Sequence, residues 1–308
     1  MKYIKAFGRS LSAVVFGGDR IRSADPGRTD EFLDGYVCRG GNFIDTARIY
    51  GMGDCEAALG AWLVRGDNRK KVFVGTKGGH PDPSTMHKGR LDGNSLEYDI
   101  KKSLDALKTD RVDMYYLHRD DTSRPVGDIL ETLNGFIQSG YTKFIGASNW
   151  RSDRLEEARI YAEEHGLTGF SADQPQFSLA KQCRFPDDTL VSMDGALYAY
   201  HKRTGMACVA YSSQARGYFM KLQRGEPLSD LTRTLFDCPE NRAVFEKIQA
   251  SGLDACAASL CCVTNQPFPS FAIAGFGSMA QLEDTVRGID TEINGDEVAA
   301  MRIIGEEI

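Results

Sequence analysis

The chain of 308 residues has no run of about 18 apolar side chains, so a membrane-spanning helix is not expected. Its opening residues, MKYIKAFGRSLSAVVFGGD, contain no long apolar stretch leading to a small-residue cleavage site, so no secretory signal is read there. Positive charge is in short supply. Against 37 Lys and Arg stand 43 Asp and Glu, giving a net charge of -6 and an isoelectric point near 5.5. That balance argues against nucleic acid or an anionic membrane as a partner. The eight cysteines form no CxxC and no repeated spacing, which leaves reduced, mostly buried thiols in a cytoplasmic protein as the expectation. None of the five histidines falls in an HxH or HExxH pattern, so no metal site is expected. Internal repeats, low-complexity tracts and Pro- or Ser-rich linkers are also missing.

What is present is alternation. Short β-branched runs occur at 12–16, 42–45, 71–76, 112–117, 143–147, 169–174, 206–211 and 270–275. Amphipathic segments lie between them, at 29–39, 54–65, 93–107, 126–139, 152–165, 189–204 and 240–262, with 279–287 and 295–307 after the last strand. Strands alternating strictly with helices imply a parallel sheet, and eight such units suffice to close a barrel. An open doubly wound sheet normally carries GxGxxG after its first strand, whereas this chain has GGDRIR there. The expectation is an α/β protein, a (β/α)8 TIM barrel forming a single domain over 1–308. Long loops follow the third strand (78–92) and the seventh (212–238), at the end where barrels carry their active sites.

Polar residues gather at the predicted C-terminal strand ends: Asp45 with Tyr50 beyond it, Lys77, His118, Ser148 with Asn149 and Trp150, Gln174, Tyr211 with Ser212, and Gly275. Taken singly, each has a plain explanation. Asp45 could cap a helix, Lys77 or Tyr50 could sit on a solvated rim, and His118 could be a satisfied strand-end histidine. Their shared placement at one mouth favours chemistry instead. Hydride delivery to a carbonyl develops charge on oxygen and requires a proton there. Tyrosine is a weak acid with a pKa near 10, and a neighbouring ammonium is expected to lower it. The roles read are Tyr50 as general acid/base, Lys77 and Asp45 as its tuning pair, and His118 as a donor that orients the carbonyl oxygen.

At these residues the sequence strongly resembles the aldo-keto reductase superfamily, its bacterial branch in particular. GGNFIDTARIYG (40–51), VGTKGG (74–79) and YYLHRDD (115–121) are similar to that family's catalytic segments. IGASNW (145–150), DQPQFSLA (173–180), AYSSQARGYF (210–219) and FAIAGFGSMAQLEDTV (271–286) are similar to its cofactor-binding stretches. The resemblance runs in order over almost the whole chain. It implies NAD(P)H-dependent reduction of an aldehyde or ketone. Ser148, Asn149 and Gln174 would then bind the nicotinamide carboxamide and Tyr211 would stack on its ring. Ser212, Gln214 and Gly217 would follow the pyrophosphate, and Gly275, Gly277 and Ser278 the adenosine phosphate.

The last loop departs from the pattern. Family members that prefer NADP place Lys or Arg there, but Gly277, Ser278 and Gln281 occupy the neighbourhood, so NADP is the family's default and NAD is open as well. Arg216 or Lys221 could supply the charge from the seventh loop. Gly275 to Ala280 also fits GxGxxA, but no βαβ unit follows, which excludes a Rossmann reading. The substrate, a small carbonyl compound, is expected against Asp19, Arg20 and Trp150. His80, His87, Lys88, Arg90 and Arg119 would make the mouth partly cationic. A Schiff-base aldolase using Lys77 and a non-catalytic cofactor-binding subunit are alternatives. The first leaves Asp45, Tyr50 and the Asn149–Gln174–Tyr211 set idle, and the second leaves the four catalytic-type residues without a task. Oligomeric state is not legible.

Overall fold

A strand sends successive side chains to opposite faces, and in this chain that alternation separates an inner plug from an outer layer. The computed structural model describes residues 1–302. It opens with a hairpin that the sequence reading does not include, β1 (Tyr3–Ala6) and β2 (Arg9–Ser12), paired antiparallel. The turn runs through Phe7 and Gly8, both at positive φ (53° and 69°). Only Gly8 tolerates that conformation without cost.

Eight parallel strands then close a barrel: β3 (Val14–Gly17), β4 (Phe43–Asp45), β5 (Phe73–Gly78), β6 (Val112–Leu117), β7 (Thr142–Ser148), β8 (Ala172–Gln174), β9 (Ala207–Ala210) and β10 (Ser270–Ala274). Each pairs with its sequence neighbours, and β10 returns to β3. The expected (β/α)8 TIM barrel is therefore the fold observed. Helices at Pro26–Cys38, Gly93–Leu107, Val126–Gln138 and Ser152–His165 lie close to their expected bounds. The expected helix 240–262 is two, Pro239–Ala250 and Ala255–Thr264. Gly252 at φ 67° ends the first, and Asp254 restarts the second by accepting from the Ala257 backbone N–H at 2.8 Å. The expected loop 212–238 carries short helices of its own, at Tyr218–Arg224 and at Asp230–Phe236, the latter capped by Ser229. The helix expected from 189 starts at Gly195, which leaves 175–194 as a further long connection over the barrel mouth. Of the expected helix 295–307, Gly295–Met301 is helical, and residues 303–307 lie outside the described residues.

The barrel interior is filled by Val15, Phe43, Phe73, Met114, Tyr116, Ala172, Ala207, Val209 and Phe271, joined by Leu11 from the hairpin. Phe7 seals the lower end, its ring 5.4 Å from Phe73 and Phe144 and 6.4 Å from Phe271. These partners lie near the start of their strands, so the hairpin closes the N-terminal end of the barrel. Counting upward in steps of two along each strand leads from this plug to the mouth. Phe43 gives Asp45, Phe73 gives Lys77, Tyr116 gives His118 and Ala172 gives Gln174. Phe144 gives Ser148, Val209 gives Tyr211 and Phe271 gives Gly275. The opposite parity packs against the helices in a second, larger apolar cluster.

Candidate active site

The mouth holds a cavity of about 540 Å³ that runs from the ends of β4–β6 to the helix Met279–Asp290. Its deep end is built by the inward parity of those strands. Lys77 Nζ lies 2.5 Å from Asp45 Oδ2, donates to the Thr46 carbonyl at 2.9 Å and is 3.3 Å from the Tyr50 hydroxyl. Gln174 donates from Nε2 to the other Asp45 oxygen at 2.7 Å. Asp45 and Lys77 are fully buried, and Tyr50 is half-buried at the cavity wall. Tyr50 is delivered by a tight turn rather than a strand: Gly51, Met52 and Gly53 all take positive φ directly after it. The His118 ring stands edge-on to Tyr50 at 5.7 Å and to His80 at 4.7 Å.

Burial sets the protonation of this group. It pushes the Asp45 carboxyl up, opposed by the Lys77 ammonium and the Gln174 amide. Burial alone would lower Lys77, but Asp45 and Tyr50 together outweigh it and hold the ammonium protonated. For Tyr50 the expectation from sequence is corrected. Lys77 does pull its pKa down, yet burial is the larger effect, so the phenol is raised and stays protonated. Burial, with Lys77, His80 and Arg119 nearby, pushes His118 well below its ordinary value, so the imidazole is neutral.

A second set lines the cavity beside this one. Asn149 sits at φ 60° with its side chain tied at both ends. Its Oδ1 accepts from the Tyr211 hydroxyl at 2.8 Å and the Val191 backbone N–H at 3.0 Å, and its Nδ2 donates to Ser148 Oγ at 3.1 Å. Gln174 Oε1 is buried without a hydrogen-bond partner among the described residues. Beyond Tyr211 the chain turns through Ser212, Ala215, Arg216 and Gly217, all at positive φ. Ser212, Gln214 and Gly217 all border the cavity, as do Arg216 and Lys221, which are cations in reach of an anion there. Nothing beyond Lys221 Cε and Met220 Cε lies within 4 Å of where a Cβ on Gly217 would project.

Asp19, Arg20, Gly275 and Gln281 also line the cavity. Of the residues expected beside the substrate, Asp19 is near enough to act on Asp45 and Tyr50, whereas the Arg20 side chain reaches the Gly277 loop at the far end. Gly277 and Ser278 stand just outside the cavity wall. The Gly277 N–H donates to Gln281 Oε1 at 2.7 Å, and Ser278 caps the helix Met279–Asp290. The cation missing from this loop in sequence is present in space. Arg28 Nη2 donates to the Gly277 carbonyl at 2.8 Å, and Arg20 Nη1 lies 3.2 Å from where a Gly277 Cβ would be. Their distance in sequence hides them from any motif around residue 277.

Trp150 is a correction. It is fully buried and lies outside the cavity wall, with its ring 5.0 Å from Phe170 and the Arg154 guanidinium over its face. The positive φ of Asn149 breaks the strand's alternation and turns Trp150 toward the helical layer. Of the cations expected at the mouth, Arg119 lines the cavity. His87 lies exposed, 3.6 Å from Asp188, and Arg90 pairs with Asp99. Among the described residues no group of three His, Cys, Asp or Glu is placed to hold a metal, and no helix is long and apolar enough to cross a membrane.

Barrel and mouth define a (β/α)8 enzyme architecture with its reactive groups at the C-terminal ends of the strands. Within that class the chain belongs to the aldo/keto reductase family, whose profile matches residues 13–306. It is an oxidoreductase acting on carbonyl groups, in a family that generally uses NAD(P)H. The aldo-keto reductase ausK of Aspergillus calidoustus is 25% identical over 309 residues, covering 92% of this chain and 75% of that protein. The norsolorinic acid reductase stcV of Emericella nidulans is 24% identical, covering 94% and 75%. An aryl-alcohol dehydrogenase, GME11368 of Pestalotiopsis microspora, is 34% identical over 154 residues, covering 48% of this chain and 40% of its own length.

Proposed function

We propose that this protein reduces an aldehyde or ketone to the alcohol with a nicotinamide cofactor, Tyr50 giving the proton. The observation that carries the reading is the contact set around Lys77, which ties Asp45 and Tyr50 into one buried group beneath the cavity. When bound, the reduced nicotinamide supplies a hydride to the carbonyl carbon. Tyr50 delivers its phenolic proton to the carbonyl oxygen, and the adjacent ammonium stabilises the phenolate left behind. Asp45 keeps Lys77 charged and in place. His118, neutral, offers an N–H to the same oxygen and orients the carbonyl. In alcohol oxidation the proton moves back to Tyr50.

The residues suit such a cofactor. The unpartnered Gln174 carbonyl is an acceptor for a carboxamide, with Ser148 and Asn149 beside it, and Tyr211 offers a ring to stack on. Ser212, Gln214 and Gly217, with Arg216 and Lys221, match a diphosphate. Gly275 lines the adenosine end, with Gly277 and Ser278 just behind its wall. There Arg20 and Arg28 support NADP(H) over NAD(H), since a guanidinium is the preferred partner of a 2′-phosphate. The whole of 1–308 acts as one catalytic domain on a small-molecule carbonyl compound, and its free thiols suit the cytoplasm.

The Tyr50→Phe variant tests the acid. It is expected to bind NADPH as the wild type does, by fluorescence quenching, and to lose about a thousandfold in turnover. Turnover within about tenfold of wild type sinks the assignment. Replacing Arg20 and Arg28 together by Ala is expected to weaken NADPH about tenfold and leave NADH unchanged. Equal or tighter binding of NADH by the wild type overturns the NADP preference.

A further inference from the structure

Arg119 follows His118 directly and comes off the mouth with its side chain almost wholly enclosed, 8% exposed. Its Nε donates to Thr189 Oγ1 at 3.0 Å and its Nη1 to the His118 carbonyl at 2.8 Å. A guanidinium has five N–H donors, so three are left without an acceptor among the described residues. The nearest carboxylate, Asp187, is 4.0 Å from Nη2, beyond hydrogen-bonding range, and its Oδ1 is engaged by Thr189. Other cations of this cavity are met or wet. Lys77 has Asp45, Arg224 has Asp284 at 2.6 Å, Arg20 and Arg216 are exposed, and Lys221 is half-exposed and so keeps access to water.

Enclosing a charge without a close counter-ion is costly. Here burial does disfavour the Arg119 cation, with Tyr211, Asp187 and Tyr50 as the nearby groups that offset this. Its bonds to the His118 carbonyl and to Thr189, and its place in the cavity lining with Tyr50, Tyr211 and Leu190, put the guanidinium at the Lys77 end of the cavity beside the segment 187–190. Two fixed bonds hold the fork rigid, which lowers the cost of engaging an oxyanion bidentately.

We infer that Arg119 is a specificity-determining residue whose free N–H groups receive the carboxylate of a substrate carrying both a carbonyl and an acidic group. The inference rests on the carbonyl reductase reading above and extends it to a substrate class. The alternative use of Arg119 is as a strap that holds the 187–190 segment through Thr189. That role acts on every substrate alike.

The test compares 2-, 3- and 4-formylbenzoate with their methyl esters, measuring NADPH and NADH oxidation by the wild type and by Arg119→Met and Arg119→Lys. For at least one isomer, wild-type kcat/KM for the acid is expected to exceed that for its ester more than about tenfold, mainly through KM. In Arg119→Met the ratio is expected to collapse toward one, and in Arg119→Lys to be partly restored. Turnover of esters with no acid preferred, or a preference that survives Arg119→Met, overturns the inference and leaves the reductase reading standing. Failure of all six aldehydes to oxidise either cofactor brings down the reductase reading itself, and this inference with it.

Discussion

The inward and outward parities of the same strands both bury charge, and they do so to different ends. Inward, Asp45, Lys77 and His118 stand at a cavity. Outward, one residue before Lys77, Thr76 donates to the buried Glu56 at 2.6 Å, and Arg48 lies 3.6 Å from the other carboxylate oxygen. One residue before Gln174, Asp173 faces His201 at 3.6 Å with neither side chain exposed to solvent. These outer groups tie helices to strands and have no cavity in front of them. Polarity at a strand end is therefore a weak sign of chemistry. Polarity on the parity that continues the barrel's apolar plug is a strong one.

The sharpest way to break this contrast is Lys77→Met. It leaves Asp45 buried and unpaired, so a stability loss of about 3–5 kcal/mol is expected by denaturant titration, together with loss of most turnover. Adding Asp45→Leu is expected to recover much of the stability and none of the activity. Recovery of activity would mean that the pair only supports the fold.

Trp150→Ala examines the outer layer. A loss of about 3–5 kcal/mol is expected from the cavity it opens against Phe170, with the ranking of substrates unchanged at a temperature where the variant is folded. A reordered substrate ranking would return Trp150 to the pocket wall.

The smallest expected effect concerns His118. Its folded pKa lies below the 6.5 of the unfolded side chain, so between these values the unfolded chain binds a proton that the native protein does not. Stability then falls as pH drops below about 6.5, by at most about 1.4 kcal/mol per pH unit from this group. His118→Gln is expected to flatten that part of the profile, measured by urea unfolding between pH 7 and 5. An unchanged slope would show that His118 takes up its proton equally in the native and unfolded states, against the lowered native pKa.

The Lys77 end of the mouth was legible from sequence because each residue there except Tyr50, which a tight turn delivers, hangs from its own strand, and the strand's period places it. Asp45, Lys77, His118 and Gln174 needed nothing but counting. Four features were not legible. Trp150 adjoins a residue at positive φ, where counting fails, and the sign of the Tyr50 shift depends on how much water the finished fold excludes. Arg20 and Arg28 reach Gly277 from across the β3–β10 seam, a contact made only by closure. The segment 212–238 looked like loop because its helices are seven residues each, too short to show a clear period.

The hairpin that carries Phe7 orders the assembly in time as well as in space. A ribosome makes it before any strand of the barrel, yet Phe7 rests on Phe73, Phe144 and Phe271, and the last of these belongs to the final strand. A segment made ahead of every barrel strand therefore has its full seat only after the final one is in place. Until β10 docks, the stopper has a vessel with one stave missing.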